Sequence, residues 1–167
     1  MTWHDDISLD AFRALAERRT EPGDVPCAAE IRKNIPVYDA ASADARAMEE
    51  WARVLLTGPG VLVIRGAVPD LALIDEINAV FEAIIAEERA ANTGKGDHFA
   101  AAGANDRVWN SLQKLCLHAP ALYALYAARP AIDMACRAWL GPGYQIATQL
   151  NVVRPGGKAQ EPHRDYH

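Results

Sequence analysis

Apolar residues recur at helical spacing through most of the chain and change to alternation only near its end. Residues 8 to 19 read as a short amphipathic helix, with Ser8 as N-cap and Leu9, Phe12, Leu15 and Ala16 on one side. The stretch "TEPGDVPCAAEIRKNIPV" carries three prolines and mixed charge, and reads as an irregular connector. A second helix is expected from about Ala43 to Leu56, capped by Ser42, with Met48, Trp51, Ala52 and Leu55 at helical spacing and a stop at "TGPG". "VLVIRG" (61–66) is a β-branched run between glycines, the pattern of a buried strand. Asp70 then caps the clearest helix, roughly 71 to 91, striped by Ile74, Ile77, Phe81, Ile84 and Ile85.

Residues 92 to 105 are small, polar and glycine-rich, and read as a mobile loop. Helices are expected near 106–118, 120–127 and 130–140, with Pro120 and Pro130 in first turns and Gly141 as the last stop. After "GPG" the period becomes two. In "YQIATQLNVV", Ile146, Thr148, Leu150 and Val152 fall on one face, and Gln145, Ala147, Gln149 and Asn151 on the other. That is a strand packed on one side and polar on the other. "RPGGK" follows as a turn, and "QEPHRDYH" as the next extended segment. The chain is helical for 140 residues and only then begins a sheet, so it reads as cut off partway through a larger α+β domain.

Composition narrows the function classes. The chain has 167 residues, half of them hydrophobic, enough for one ordinary globular core. A formal charge of −5 gives no broad basic face, so neither nucleic acid nor an anionic membrane is an expected partner. Cys27, Cys116 and Cys136 are odd in number and widely spaced, which fits reduced thiols in a cytoplasmic protein. The start, "MTWHDDISLD", has no apolar signal core, and no apolar run approaches membrane-span length. Nothing in the pattern specifies an oligomeric state.

The chemistry-bearing feature is "PHRDYH". On a strand, residues i and i+2 project from one face about 6.6 Å apart, so His163 and Asp165 converge on a common point. An imidazole nitrogen and a carboxylate oxygen supply two donors of a 2-His-1-carboxylate set, which leaves positions on Fe(II) open for a cosubstrate and O2. Arg164 would point the other way. Taken alone H-x-D is a weak signal, because a surface histidine beside an acid is more often a solvated pair. The letters "HRD" also occur in kinase catalytic loops, but there a Leu and a downstream Asn follow, and here Tyr166 follows. His167 shares the face of His163 but lies about 13 Å along it, too far to close a compact site, and reads as pocket-lining.

The run "QLNVVRPGGKAQEPHRDYH" as a whole, a polar-faced strand, a Pro-Gly-Gly turn and then H-x-D, resembles the phytanoyl-CoA dioxygenase family. "GVLVIRGAVP" with its long helix is similar to the family's opening strand and helix, and "DRVWNSLQKL" to its middle helical segment; the likeness spans roughly residues 55 to 167. The resemblance implies an Fe(II)- and 2-oxoglutarate-dependent oxygenase, coupling O2 and 2-oxoglutarate decarboxylation to oxidation of a small organic substrate, with release of succinate and CO2. It implies a double-stranded β-helix (jelly-roll, cupin-like), of which this chain holds the N-terminal helices and the first strands. On that basis residues 1–40 form an N-terminal helix and irregular extension, and 41–167 the N-terminal part of the family domain. His163 and Asp165 match the first two iron ligands, and Gln149 and Asn151 match strand positions lining the 2-oxoglutarate or substrate pocket. The family's distal histidine and the basic residue for 2-oxoglutarate would lie on later strands. These residues alone are therefore expected to bind iron poorly and turn over little. Two other classes compete: a non-catalytic binding domain with a vestigial H-x-D, and a cupin-like metalloprotein doing isomerase or hydrolase chemistry.

The remaining candidates have plainer readings. His4 sits in a charged terminus, His98 in the glycine-rich loop, and His118 at a helix end where an imidazolium suits the dipole. Lys114 reads as part of a solvated helix face, and Trp51, Trp109 and Trp139 as core.

Overall fold

The computed structural model describes residues 8–91, 93 and 105–157. In chain order these form α1 (Leu9–Glu17), β1 (Glu30–Arg32), β2 (Ile35–Asp39), α2 (Ala45–Leu56), β3 (Val63–Arg65), α3 (Leu71–Ala90), β4 (Asn105–Val108), α4 (Ser111–His118), α5 (Pro120–Ala127), α6 (Pro130–Leu140) and β5 (Leu150–Val153). The architecture is α+β, with a sheet ordered β1-β2-β3 and a two-stranded ribbon β4-β5, neither closed into a barrel. Two compact units emerge: residues up to Pro69 with Arg129–Tyr144, and Asp70–Ala128 with residues from Gln145 on. Among the described residues no helix is long and apolar enough to cross a membrane.

In the first unit the expected connector contains a hairpin. β1 and β2 pair antiparallel through Arg32 and Ile35, and the two residues between them, Lys33 (φ 49°) and Asn34 (φ 71°), are both left-handed. That is the backbone of a type I′ turn, and Asn tolerates it better than most residues. Asn34 is held there by its side chain, which accepts from Thr20 N (2.6 Å) and donates to Arg18 O (3.1 Å). Pro36 hid the strand, since proline normally argues against one. It is tolerated because, one pair in from the closing pair of a two-residue hairpin, opposed residues exchange no backbone hydrogen bonds. β3 then joins β2 in parallel, Val37 opposite Val63. It is an edge strand rather than the buried one expected, with Val61 and Val63 both 43 % exposed and Ile64 turned into the core.

α2 starts two residues later than expected and is capped by Asp44, whose carboxylate accepts from Ala47 N (3.0 Å); Ser42 belongs instead to a short 3-10 turn. It buries Ala47, Glu50, Trp51 and Val54, and α6 packs Met134, Ala135 and Ala138 around the same Tyr38–Trp51 core. α1 forms with Ser8 as its cap, yet Leu9, Phe12 and Leu15 stand about 60 % exposed. After α2, Gly58 runs so close to the last helical turn that a Cβ there would lie 2.8 Å from Val54 O and 2.9 Å from Val54 Cα. Gly58→Ala is therefore expected to destabilise this unit by about 1–3 kcal/mol; an unchanged denaturation midpoint would show that the backbone has slack at this point.

In the second unit α3 runs as expected from its Asp70 cap, which accepts from Ala72 N (3.1 Å). Leu73 and Ile77 pack with Leu115, Leu122 and Tyr126 of the next two helices, while Ile84 and Ile85 pack on Val108, Leu150 and Val152 of the ribbon. Residues 106–108, expected at the start of a helix, and Asn105, expected in the loop before it, are instead strand β4; the helix starts only at Ser111.

Candidate functional site

The ribbon has two chemically different faces. Its register sets Val108 opposite Leu150, Arg107 opposite Asn151, Asp106 opposite Val152 and Asn105 opposite Val153. Since side chains alternate, Asp106, Val108, Leu150 and Val152 share the side packed on α3, and Arg107 and Asn151 share the other. The alternation expected near Gln149 and Asn151 is borne out over 148–152, although the regular strand begins only at Leu150 and Ile146 is exposed.

On the packed side a carboxylate sits among apolar residues. Asp106 is 7 % exposed and is clasped from two directions. Arg89 of α3 donates through Nε (3.1 Å) and Nη2 (2.7 Å to each oxygen), and Arg154 donates through Nε (2.7 Å). Arg154 also reaches Glu82 of α3 at 2.9 Å. Burial by itself pushes the Asp106 carboxyl up, but the hydrogen bonds from Arg154 and Arg89 outweigh it and hold the group below the ordinary carboxylate range. Arg154 is the residue at which the chain leaves β5. Gly157 N donates back to Arg154 O (2.8 Å), with Pro155 and Gly156 (φ 83°) between them, so the turn suits proline at its first corner and calls for glycine at its second. The Asp106 clamp thus fixes the root of the turn that leads toward 158–167. Nearby, the Ser111 and Thr148 hydroxyls lie 2.8 Å apart and tie the start of α4 to the approach of β5.

On the opposite side, Arg107 lies over the Trp109 ring, its guanidinium carbon 3.9 Å from the ring centroid, and Nη2 donates to the Gln149 side-chain oxygen. Gln149 and Asn151 are exposed there. Arg107 and Asp106 were not singled out from the sequence, because a helical reading of "DRVWNSLQKL" assigns them no common strand. Trp109, expected in the core, is instead this arginine's platform, and Trp139 is 48 % exposed; Trp51 is fully buried as expected. Lys114 is not simply solvated: it pairs with Glu88 of α3. His118 ends α4 as expected, and it is exposed.

His163, Asp165 and His167 lie outside the described residues, as do His4, His98 and nearly all of the glycine-rich loop. Among the described residues no three His, Cys, Asp or Glu side chains cluster to hold a metal ion. The donor chemistry suited to ferrous iron, an imidazole with a carboxylate two residues on, belongs to His163 and Asp165. A crevice of about 440 Å3 lies in the first unit, bordered by Arg18, Asp24, Asn34, Arg53 and Gly58; no histidine lines it, and Asp24 is its single carboxylate.

What the second unit presents is a mixed α+β scaffold whose ribbon offers a polar, cationic face and feeds a turn toward a histidine- and carboxylate-bearing segment. The model of the phytanoyl-CoA dioxygenase (PhyH) family matches residues 57–167, and the chain belongs to that family. Its members are in general Fe(II)- and 2-oxoglutarate-dependent oxygenases. Comparisons with curated proteins and with solved structures give no match.

Proposed function

We propose that this chain carries the iron-binding start of an Fe(II)/2-oxoglutarate-dependent dioxygenase acting on a small organic substrate. The observation supporting it most directly is that the family match, residues 57–167, covers the ribbon, the Pro-Gly-Gly turn and the H-x-D motif. In this reading His163 and Asp165 supply two of the metal's protein ligands, and β4-β5 belongs to a jelly-roll begun within residues 41–167. When bound, iron supplies open coordination positions for 2-oxoglutarate and O2, whose consumption drives oxidation of a substrate carbon. The chain's own contribution is positional. Asp106 and Arg154 anchor the turn ahead of the ligand pair, the α3 side of the ribbon keeps water away from its back, and Gln149 and Asn151 face the bound small molecules. Residues 1–40 stand as an extension outside the family domain.

The test is succinate release from 2-oxoglutarate under Fe(II) and O2 by the native protein. Release is expected, with a loss of at least about 100-fold in His163→Ala and in Asp165→Ala. If the native protein forms no succinate under any of these conditions yet binds small molecules, the non-catalytic binding domain is the correct reading.

A further inference from the structure

The crevice of the first unit has a chemistry of its own. It opens between the last turn of α1 and the C-terminal end of α2, beside the hairpin turn at Asn34. Its volume of about 440 Å3 falls in the range of small-molecule pockets, roughly 300–1,000 Å3. Leu15, Val25, Val54 and Leu56 give it an apolar wall; Val25 and Val54 are buried, while Leu15 and Leu56 stand 60 % and 72 % exposed. α1 buries none of its residues, so the crevice is a gap beside a helix that is loosely held. Two guanidiniums border the same space without a matching charge. Elsewhere in this unit Arg32, Arg65 and Arg137 each lie 2.8 to 3.0 Å from a carboxylate. Arg18 instead gives Nη1 to the main-chain Thr57 O (3.0 Å), which leaves its Nε and Nη2 without a carboxylate among the described residues. Arg53 lies 4.0 Å from Glu50, whose carboxylate already accepts from Tyr38 Oη and Cys27 N. Asp24 accepts from Glu21 N (3.1 Å) and forms no ion pair with either arginine among the described residues. Two guanidiniums against one carboxylate leave the lining with an excess of positive charge beside apolar surface.

We infer that this crevice binds a small organic acid, its oxyanion held by Arg18 and Arg53 and its hydrocarbon body laid against Leu15, Val25, Val54 and Leu56. A guanidinium edge matches carboxylate and phosphate oxygens alike, so the shared chemistry is an oxyanion head on an apolar body. Covering the exposed faces of Leu15 and Leu56 adds hydrophobic stabilisation that a bare inorganic anion cannot supply. The occupant also bridges α1 and the end of α2, where Arg18 to Thr57 O is the described hydrogen bond. Binding therefore tightens the hold on α1. The inference stands independently of the oxygenase reading: of the lining, only Thr57 to Gly60 fall within the family match, and no histidine takes part.

Calorimetric titration of the native protein with hexanoate, hexyl phosphate, hexanamide and acetate tests the site. Hexanoate and hexyl phosphate are expected to bind; hexanamide lacks the charge and acetate the body, and each should bind about tenfold more weakly or worse. Tighter hexanoate marks the occupant as a carboxylic acid, and tighter hexyl phosphate marks it as a phosphate monoester. Arg53→Gln should weaken both acids about tenfold, and the side chain is 60 % exposed, so the fold is expected to survive. Ala16→Phe, at an exposed position of α1, fills the space with both arginines in place and should abolish binding. Hydrogen exchange locates the ligand even if either variant fails to fold. With hexanoate at about ten times its Kd, the hydrogen-bonded amides of α1 and those of Thr57, Gly58 and Gly60 should exchange about tenfold more slowly. Absence of binding by both acids, hexanamide as tight as hexanoate, full affinity in a folded Arg53→Gln or Ala16→Phe, or protection confined to other segments overturns the site.

Discussion

Asp106→Ala is expected to destabilise the second unit by about 2–4 kcal/mol, well above a typical surface change. The aspartate side chain is 8 % exposed and lies between two guanidiniums, so its removal leaves Arg89 and Arg154 facing one another with no shared counter-charge. The loss falls short of that for a fully buried pair because Arg89 is 49 % exposed and can turn to water, and because Arg154 keeps Glu82. Asp106→Asn retains the shape and one acceptor and should cost about half as much. Glu82→Ala should be mild, since Glu82 is 56 % exposed and its partner keeps Asp106. The pH dependence has a definite sign. A carboxyl held below its ordinary value of 3.8 binds fewer protons folded than unfolded, so its contribution is present above about pH 4–5 and lost as pH falls toward the folded value. Denaturation midpoints between pH 3 and 7 check both points: wild type should lose stability on the acid side more steeply than Asp106→Asn. Parallel curves for the two proteins would mean that the clamp is not an ion pair in solution.

Helices were legible because their signals are local. Ser8 and Asp70 cap where they were expected to, Pro120 and Pro130 sit in first turns, and Gly141 (φ 82°) ends α6. The α+β class and the family could likewise be read from the chain, the family from the strand, turn and H-x-D run that its model covers. The short strands were not, for reasons that differ. β1 and β2 were masked by Pro36 and by a turn at Lys33-Asn34 that contains no glycine. β4 reads "NDRV", with one β-branched residue in four, so nothing in its own composition marks a strand; pairing with β5 and the Ile84–Ile85 surface of α3 make it one. The polar face of the ribbon shows the same limit. Gln149 and Asn151 follow from alternation along a single strand, but the partner of Gln149 lies 42 residues earlier, and the Asp106–Arg154 contact spans 48. Such pairs come from register, which periodicity in one strand does not encode.

The other large effect is expected in the first unit, at Glu50. This carboxylate is completely buried on α2, where it accepts from Tyr38 Oη (2.9 Å) and from Cys27 N (3.1 and 3.2 Å), with Arg53 4.0 Å away. It thereby joins the segment before β1, strand β2 and helix α2 beside Trp51, whose ring meets Tyr38 edge-on at 5.7 Å. Glu50→Ala leaves two buried donors without an acceptor and opens a void beside that pair, and should cost about 3–5 kcal/mol. Glu50→Gln keeps one oxygen and the volume, and should cost about half as much. Burial, reinforced by the hydrogen bond to Glu50, holds the Tyr38 phenol well above its ordinary value of 10.0. A phenol that keeps its proton longer when folded stabilises the protein below about pH 10 and loses that contribution as pH rises further. Tyr38→Phe should therefore lose about 1 kcal/mol at neutral pH and show a shallower decline above pH 10 than wild type. Burial also raises the Cys27 thiol, with Glu50 acting in the same sense, so alkylation of Cys27 should be slow in wild type and fast in Glu50→Ala. Denaturant midpoints across pH 7–11 together with thiol-modification rates decide the matter. If Glu50→Ala unfolds at the wild-type midpoint, Glu50 does not join these elements in solution.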